Sequence, residues 1–344
     1  MVENRNVTFG RDIVLTDENG EIVTDENGER IVRRYTAGAL FPFVNGAKDF
    51  WLHQMIEGNP LQEKIALIMH NHFAVNHDAL VVFGNREYAF MTQDYVNLLR
   101  QNSLGSFNNT LIKVTEDVSM IGFLNLDTNT DENTDENYGR EFLELFTLKE
   151  VNEETGESNY THDDIQSFSK AFTGLRIINE NRPFELSYTD PESGETDLTT
   201  SNFPVRASLF DPTFWRADHI NPTEYTYFEG ESYEANAAFN YVQAAGYITQ
   251  HPGVATHLGT TLHRTLINPL TSQEMVSSLA RLARDKEYDV KEILRVILKS
   301  ESMFSEESKN VCIKAPLETQ VSFMRASGIP LKTKRREGLS LIHI

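Results

Sequence analysis

His70-Asn71-His72-Phe73, with His77 five residues beyond His72, is the densest run of imidazoles in the chain. Neutral imidazole is a good ligand for zinc or iron. On a helix, His70 and His72 point about 200° apart and cannot share one ion, whereas His70 and His77 lie nearly in line. The spacing does not match His-Glu-x-x-His. The alternative is a helix end whose histidines hydrogen-bond carbonyls or fill a polar pocket.

Asn137-Tyr138-Gly139-Arg140-Glu141-Phe142-Leu143-Glu144-Leu145-Phe146 is the second group. At about 100° per residue, Tyr138, Phe142, Leu145 and Phe146 share one apolar face, and Leu143 widens it. Asn137, Glu141 and Glu144 form a polar stripe with Arg140 beside it. A helix apolar almost all round is expected to be buried, and its glutamates then need partners. A structural reading supplies an Arg140–Glu144 pair at i,i+4 and capping bonds to nearby backbone. In the functional reading, His70, His72, Glu141 and Glu144 are candidate ligands for zinc, iron or manganese. Glu141, Glu144 and His72 are then the candidate catalytic groups, with Asn71, Asn137 and Arg140 as a polar network around them. Helical bundles build carboxylate and histidine sites in this way, and a glutamate can act as base to a metal-bound water.

Asp127, Asn129, Asp131, Asn133, Asp135 and Asn137 place oxygen side chains at every second position, like the start of a calcium loop. The position that needs glycine is Glu132 and the twelfth is Tyr138, so the pattern fails as an EF-hand. Asx-rich turns leading into a helix explain it without an ion, and calcium is the less favoured cofactor. Thr161-His162-Asp163-Asp164 reads as a helix cap with acids in the first turn. Cys312 is the one cysteine, so there is no internal disulfide, and its context suggests a buried, inert thiol. No nucleophile elbow, phosphate loop or dinucleotide fingerprint is present.

The elements that must position these groups are mostly helical. The 344 residues carry 40% hydrophobic and 24% charged side chains, ordinary globular usage. No apolar stretch approaches the roughly 20 residues that span a bilayer, and no signal peptide is visible near Met1. The formal charge of −20 is spread along the chain and argues against a nucleic-acid partner, which needs a basic face. Thr16-Asp-Glu-Asn-Gly-Glu21 recurs as Thr24-Asp-Glu-Asn-Gly-Glu29, and Asn-Gly between β-branched residues predicts a small β-ribbon. Asn59 and Pro60 cap and open a helix, with Gln62 as the capping-box partner.

Helical spacing then covers 87–102, 107–114, 137–148, 161–172, 234–250, 252–266, 272–284, 290–299 and 316–327. Gly174 stops one of these helices. Between about 175 and 228 the period fades. Phe184, Leu186 and Tyr188 alternate with polar residues, and Asp190-Pro-Glu-Ser-Gly194 supplies a turn. The expected architecture is mainly α, a multi-helix globular body with an N-terminal β-ribbon and a central β-hairpin and loop insertion. Its segments are a β-ribbon extension over 1–35, an N-terminal helical half over 36–174, an insertion over 175–230 and a C-terminal helical half over 231–338. Residues 339–344 read as translated sequencing adapter, set apart from functional reasoning.

Taken in order, these segments resemble the bacterial family called domain of unknown function 1800. The family's His-Asn-His-Phe segment matches His70–Phe73, and its Asn-Glu-Asn-Tyr-Ala-Arg-Glu helix matches Asp135–Leu148. The likeness continues through Tyr160–Gly174, resumes at His251-Pro252, and closes with Lys314-Ala-Pro-Leu-Glu318 and Arg325-Ala326, covering roughly Phe50 to Gly328. Asp135, Gly139, Lys149 and Leu175 depart from the usual Asn, Ala, Gly and Trp, and the family's His-Asp pair is at best shifted, near Asp218-His219. The family has no assigned activity. The resemblance implies a bacterial protein, exported or envelope-associated, with another exported protein as partner. It also implies that Met1 is an internal start, with an export signal to a periplasmic or extracellular location missing.

Whether the chain is an enzyme stays open on these residues. One reading is a binding or assembly protein with a buried polar His/Glu/Arg cluster and an apolar surface patch. Another is a metal-dependent hydrolase using His70, His72, Glu141 and Glu144. A third is that Asn71, His72, Arg140 and Glu141 only lock helix registry.

Overall fold

The computed structural model describes residues 13–14, 32–33, 40–76, 80, 85–130, 133–189, 196–210, 240–309 and 311–328. Helices dominate it. In the first half these are α1 (Leu40–Glu57), α2 (Pro60–His72), α3 (Asn85–Asn102), α4 (Phe107–Thr115), α5 (Val118–Phe123), α6 (Asn137–Glu141) and α7 (His162–Ala171). In the second they are α8 (Tyr241–Ile248), α9 (Pro252–Leu266), α10 (Gln273–Asp285), α11 (Val290–Ile297), α12 (Glu301–Phe304) and α13 (Pro316–Ser327).

Between the two sets runs an antiparallel hairpin of β3 (Leu175–Thr189) and β4 (Thr196–Phe210), in register from Leu175↔Phe210 to Thr189↔Thr196. The turn expected at 190–194 lies outside the described residues. Pro183 and Pro204 are tolerated because each strand of a two-stranded ribbon keeps one unpaired edge. At the N-terminus, β1 (Ile13–Val14) pairs antiparallel with β2 (Val32–Arg33). The Asn-Gly repeats that predicted a ribbon also lie outside the described residues. No described helix is long and apolar enough to cross a membrane.

Local chemistry sets the helix starts. Asn59 Oδ1 accepts from the Leu61 and Gln62 amides at 3.0 and 3.3 Å, with Pro60 at the first helical position. Gln62 does not close a capping box. Its side-chain amide instead donates to the Arg100 carbonyl at 3.0 Å, tying α2 to α3. Thr161 and Asp164 form a reciprocal capping box on α7, as their spacing predicts. Gly174, at φ 90°, turns the chain from α7 into β3.

One hydrophobic core runs through both helical sets, from Ile65 and Phe73 on the first to Leu258 and Ile293 on the second. Its centre is aromatic. Tyr138 and Phe142 each sit 4.7 Å from Phe172, and Phe146 sits 5.3 Å from Phe73. A smaller cluster of Trp51, Met55, Ala66 and Val96 is covered by Leu317 and Val321 of α13. Lys64 also pairs with Glu318, and Arg325 donates to the Met55 carbonyl at 2.9 Å. Glu318 and Arg325, part of the recognisable C-terminal segment, thus hold the last helix to the first two.

Candidate functional site

The expected helix over 137–148 is α only as far as Glu141. Phe142–Thr147 continue it as a π-helix, in which the Leu148 and Lys149 amides reach back five residues, to Leu143 O at 2.8 Å and Glu144 O at 3.1 Å. Thr147 Oγ1 closes the same wide turn on the Phe142 carbonyl at 2.6 Å. A wider turn advances each side chain by a smaller angle than the α-helix does, so positions after Phe142 fall behind their expected face. Leu145 accordingly leaves the apolar face and is 52% exposed, while Tyr138, Phe142, Leu143 and Phe146 are buried as expected.

The end of this π-helix is closed by two histidines. His72, the last residue of α2, donates from Nε2 to the Phe146 carbonyl at 2.8 Å. His257 of α9 donates from Nε2 to the Leu145 carbonyl at 3.0 Å. A carbonyl can only accept, so both rings carry their proton on Nε2. The rings lie 5.0 Å apart, and His72 is boxed further by Phe73 at 4.6 Å and Phe107 at 5.9 Å. Burial drives the His72 pKa down to about 4, helped by the Lys149 charge and opposed by the bond to Phe146. Burial, then His72 and Lys149, drive that of His257 down to about 3.

Beside this junction opens a cleft of about 390 Å³. Its polar lining is Asn71, His72 and Glu141. Ala74, Phe123, Leu124, Leu145 and Phe146 supply apolar walls. The two recognisable segments of the sequence, around His72 and around Glu141, therefore meet at one opening. Burial and the neighbouring Glu144 raise the Glu141 pKa, and Arg140 opposes them.

The other candidates go elsewhere. His70 packs its ring 5.3 Å from Trp51 and 6.4 Å from Tyr95, and burial lowers its pKa to about 4. Glu144 lies beside the Tyr160 hydroxyl, whose pKa rises to about 12 through burial and that carboxylate. Arg140 pairs with Glu136 at 3.2 Å, not with Glu144; an acid one turn before the base is the better order on a helix. Asn137 bonds Asp135 at 2.9 and 3.2 Å. Asn71, Asn137 and Arg140 are exposed and Glu141 and Glu144 are half-buried, so the polar stripe lies at the edge of the core rather than inside it. His77 and Asp218-His219 lie outside the described residues. Among the described residues, no group of three or more His, Cys, Asp or Glu side chains is placed to hold a metal ion.

In the segment that begins like a calcium loop, Asn129 and Asp135 spend side-chain oxygens on the backbone, and Asp131 lies outside the described residues. Asn129 Oδ1 accepts from the Asp135 amide at 2.8 Å, and Asp135 caps the Asn137 amide. The Arg176 guanidinium donates to the carbonyls of Asp127 at 2.9 Å and Asn129 at 3.1 Å, a cation of the protein's own. Cys312, expected to be buried, is exposed, with burial of its thiol still enough to raise its pKa. It lies between α12 and α13, where little packs over the chain.

Two features escaped sequence reasoning. His257 gave no signal beyond its place on the core face of an amphipathic helix. A buried ion pair did not show either: Arg100 reaches Glu63 at 2.7 Å, and Trp51 Nε1 donates to the same carboxylate at 3.1 Å. A larger cleft, about 530 Å³, is lined by Asp94, Asn97, Glu116 and Asp117 among others. Several of its carboxylates already serve the fold. Glu116 pairs with Lys113 at 2.8 Å and accepts from Tyr241 at 2.9 Å, and Asp117 caps α5.

Comparison with known proteins gives one family. The model described as a protein of unknown function, DUF1800, matches residues 41–341. No curated protein and no solved structure matches the chain.

Proposed function

The chain belongs to the DUF1800 family, proteins of unknown molecular function, and on that footing we propose that it is a binding or assembly protein whose ligand site is the cleft beside His72 and Glu141. The observation that carries this is the meeting of Asn71, His72 and Glu141, from the two most recognisable segments, around one apolar-walled opening. A ligand site of this kind combines apolar walls with a few polar groups that fix orientation. The natural occupant is part of an exported bacterial protein acting outside the cytoplasm. A hydrolase built on a metal at His70, His72, Glu141 and Glu144 draws no support from the arrangement. His70 packs against Trp51, away from the cleft, and among the described residues no three His, Cys, Asp or Glu side chains are placed to hold an ion.

Site-specific photocrosslinking tests the reading. A benzoylphenylalanine placed at Leu145, on the cleft wall, is compared with one at Val296, exposed on α11. In the envelope and secreted proteins of the source bacterium, a discrete adduct from position 145 and none from 296 is the expected result. Equal adducts from both, or none from 145, would refute the proposal.

A further inference from the structure

The polar lining of this cleft holds three chemically different groups, and they are unequally committed. His72 uses its Nε2 proton on Phe146 and stays neutral at ordinary pH. Asn71 and Glu141 form no side-chain hydrogen bond with any described residue, and both face the opening. The neighbouring charges are engaged. Arg140 is held by Glu136 and Lys149 by Glu153 at 2.5 Å, while Glu144 lies beside Tyr160. The cleft therefore presents one half-buried carboxylate with no cation paired to it, one carboxamide, and a set of apolar walls. The π-turn holds Leu145 out over the rim, where its apolar side chain has solvent on one side.

We propose, resting on the reading above, that the occupant of the cleft is a basic side chain of the partner protein. Its apolar stem lies against Leu145, Phe123 and Leu124, and its cationic head sits at Glu141 with the Asn71 carboxamide beside it. Long basic side chains combine these two parts, an aliphatic stem and a charged tip. An anionic or purely apolar group would leave the Glu141 carboxylate both partly desolvated and unpaired, which costs free energy. The surface as a whole favours the same sign, since a chain of net charge −20 draws cationic partners into encounter.

The test uses the full chain and three peptides, acetyl-Leu-Lys-Leu-amide, its Nε-acetyl-lysine form and its glutamate analogue. Binding is followed through the NMR methyl resonances of Leu124 and Leu145. The lysine peptide is expected to shift both sets, and to bind at least tenfold more weakly to Glu141→Gln, whose melting temperature should match the parent because Glu141 makes no bond that holds the fold. The Nε-acetyl and glutamate peptides are expected to bind at least tenfold more weakly to the parent. Equal binding of the acetylated peptide overturns the cationic head and leaves a cleft that binds ligands. An adduct from position 145 in the crosslinking experiment, with no response to the lysine peptide, also overturns this inference while the broader reading stands. Loss of binding in Leu145→Ala with Glu141 intact assigns the stem; unchanged binding there overturns its placement.

Discussion

A carbonyl at the end of a helix has no donor within the helix, and once buried it costs free energy until some other group reaches it. His72 and His257 reach two consecutive ones, Phe146 and Leu145, and that duty fixes their ionisation. Each donates from Nε2 in a buried setting, so the folded protein holds both neutral down to about pH 4 and 3. In the unfolded chain a histidine titrates near 6.5. Below that value the unfolded chain binds protons that the folded one refuses, so stability is full above about pH 6.5 and falls as the pH drops toward 4. Each histidine contributes a slope of up to about 1.4 kcal/mol per pH unit. Urea denaturation at pH 7, 6, 5 and 4.5 should show this decline, and His257→Gln should flatten it. A stability constant from pH 7 to 5 would mean that these rings are protonated in the fold. The sequence offered both roles for His72, ligand or carbonyl donor, and could not choose. The choice depends on a carbonyl 74 residues away that a π-turn leaves unpaired.

The α6–π segment shows how far an element can be read from periodicity. Its existence, length and buried aromatic face follow from the spacing of Tyr138, Phe142 and Phe146. The π-turn does not, because no residue type demands it, and with it went the placement of Leu145. Two departures from the family pattern acquire physical meaning here. Lys149, where the family carries glycine, holds φ at 67°, a left-handed conformation that glycine adopts without strain. Gly139, where the family carries alanine, lies against α7. A Cβ added there would meet Ser169 Oγ at 2.1 Å and the Ile165 carbonyl oxygen and Ser169 amide nitrogen at 3.0 Å each. The Ser169 hydroxyl is itself bonded to the Ile165 carbonyl at 2.8 Å, so it cannot swing aside freely. Gly139→Ala should therefore push α6 and α7 apart and destabilise the protein by about 1–3 kcal/mol, despite alanine's better helix propensity. Chemical denaturation measures it, and a variant as stable as the parent would show that the two helices have room to separate.

At the scale of the whole molecule, the mainly helical body was legible because amphipathic spacing and caps recur along the chain, and the β3–β4 hairpin because alternation replaces them after Gly174. What ties the helices together was less legible, since a long-range pair leaves no local pattern. Glu63 is 3% exposed and would be an isolated charge in the core of α1, α2 and α3. Arg100 meets it from α3 through Nε and Nη2, and Trp51 closes it from α1. The same guanidinium reaches Gln54 at 3.1 Å, so one side chain links three helices. Removing one partner from such a pair strands the other charge in low dielectric, a loss of about 3–5 kcal/mol, whereas replacing both with apolar groups of similar size is often neutral. Arg100→Met alone should then unfold at markedly lower urea, and Glu63→Met combined with Arg100→Met should recover most of the loss. If the double variant is as unstable as the single one, the pair does more than neutralise itself. Its hydrogen bonds to Trp51 and Gln54 would then set the packing of α1 on α2 and α3, and with it the seat that α13 occupies over Trp51.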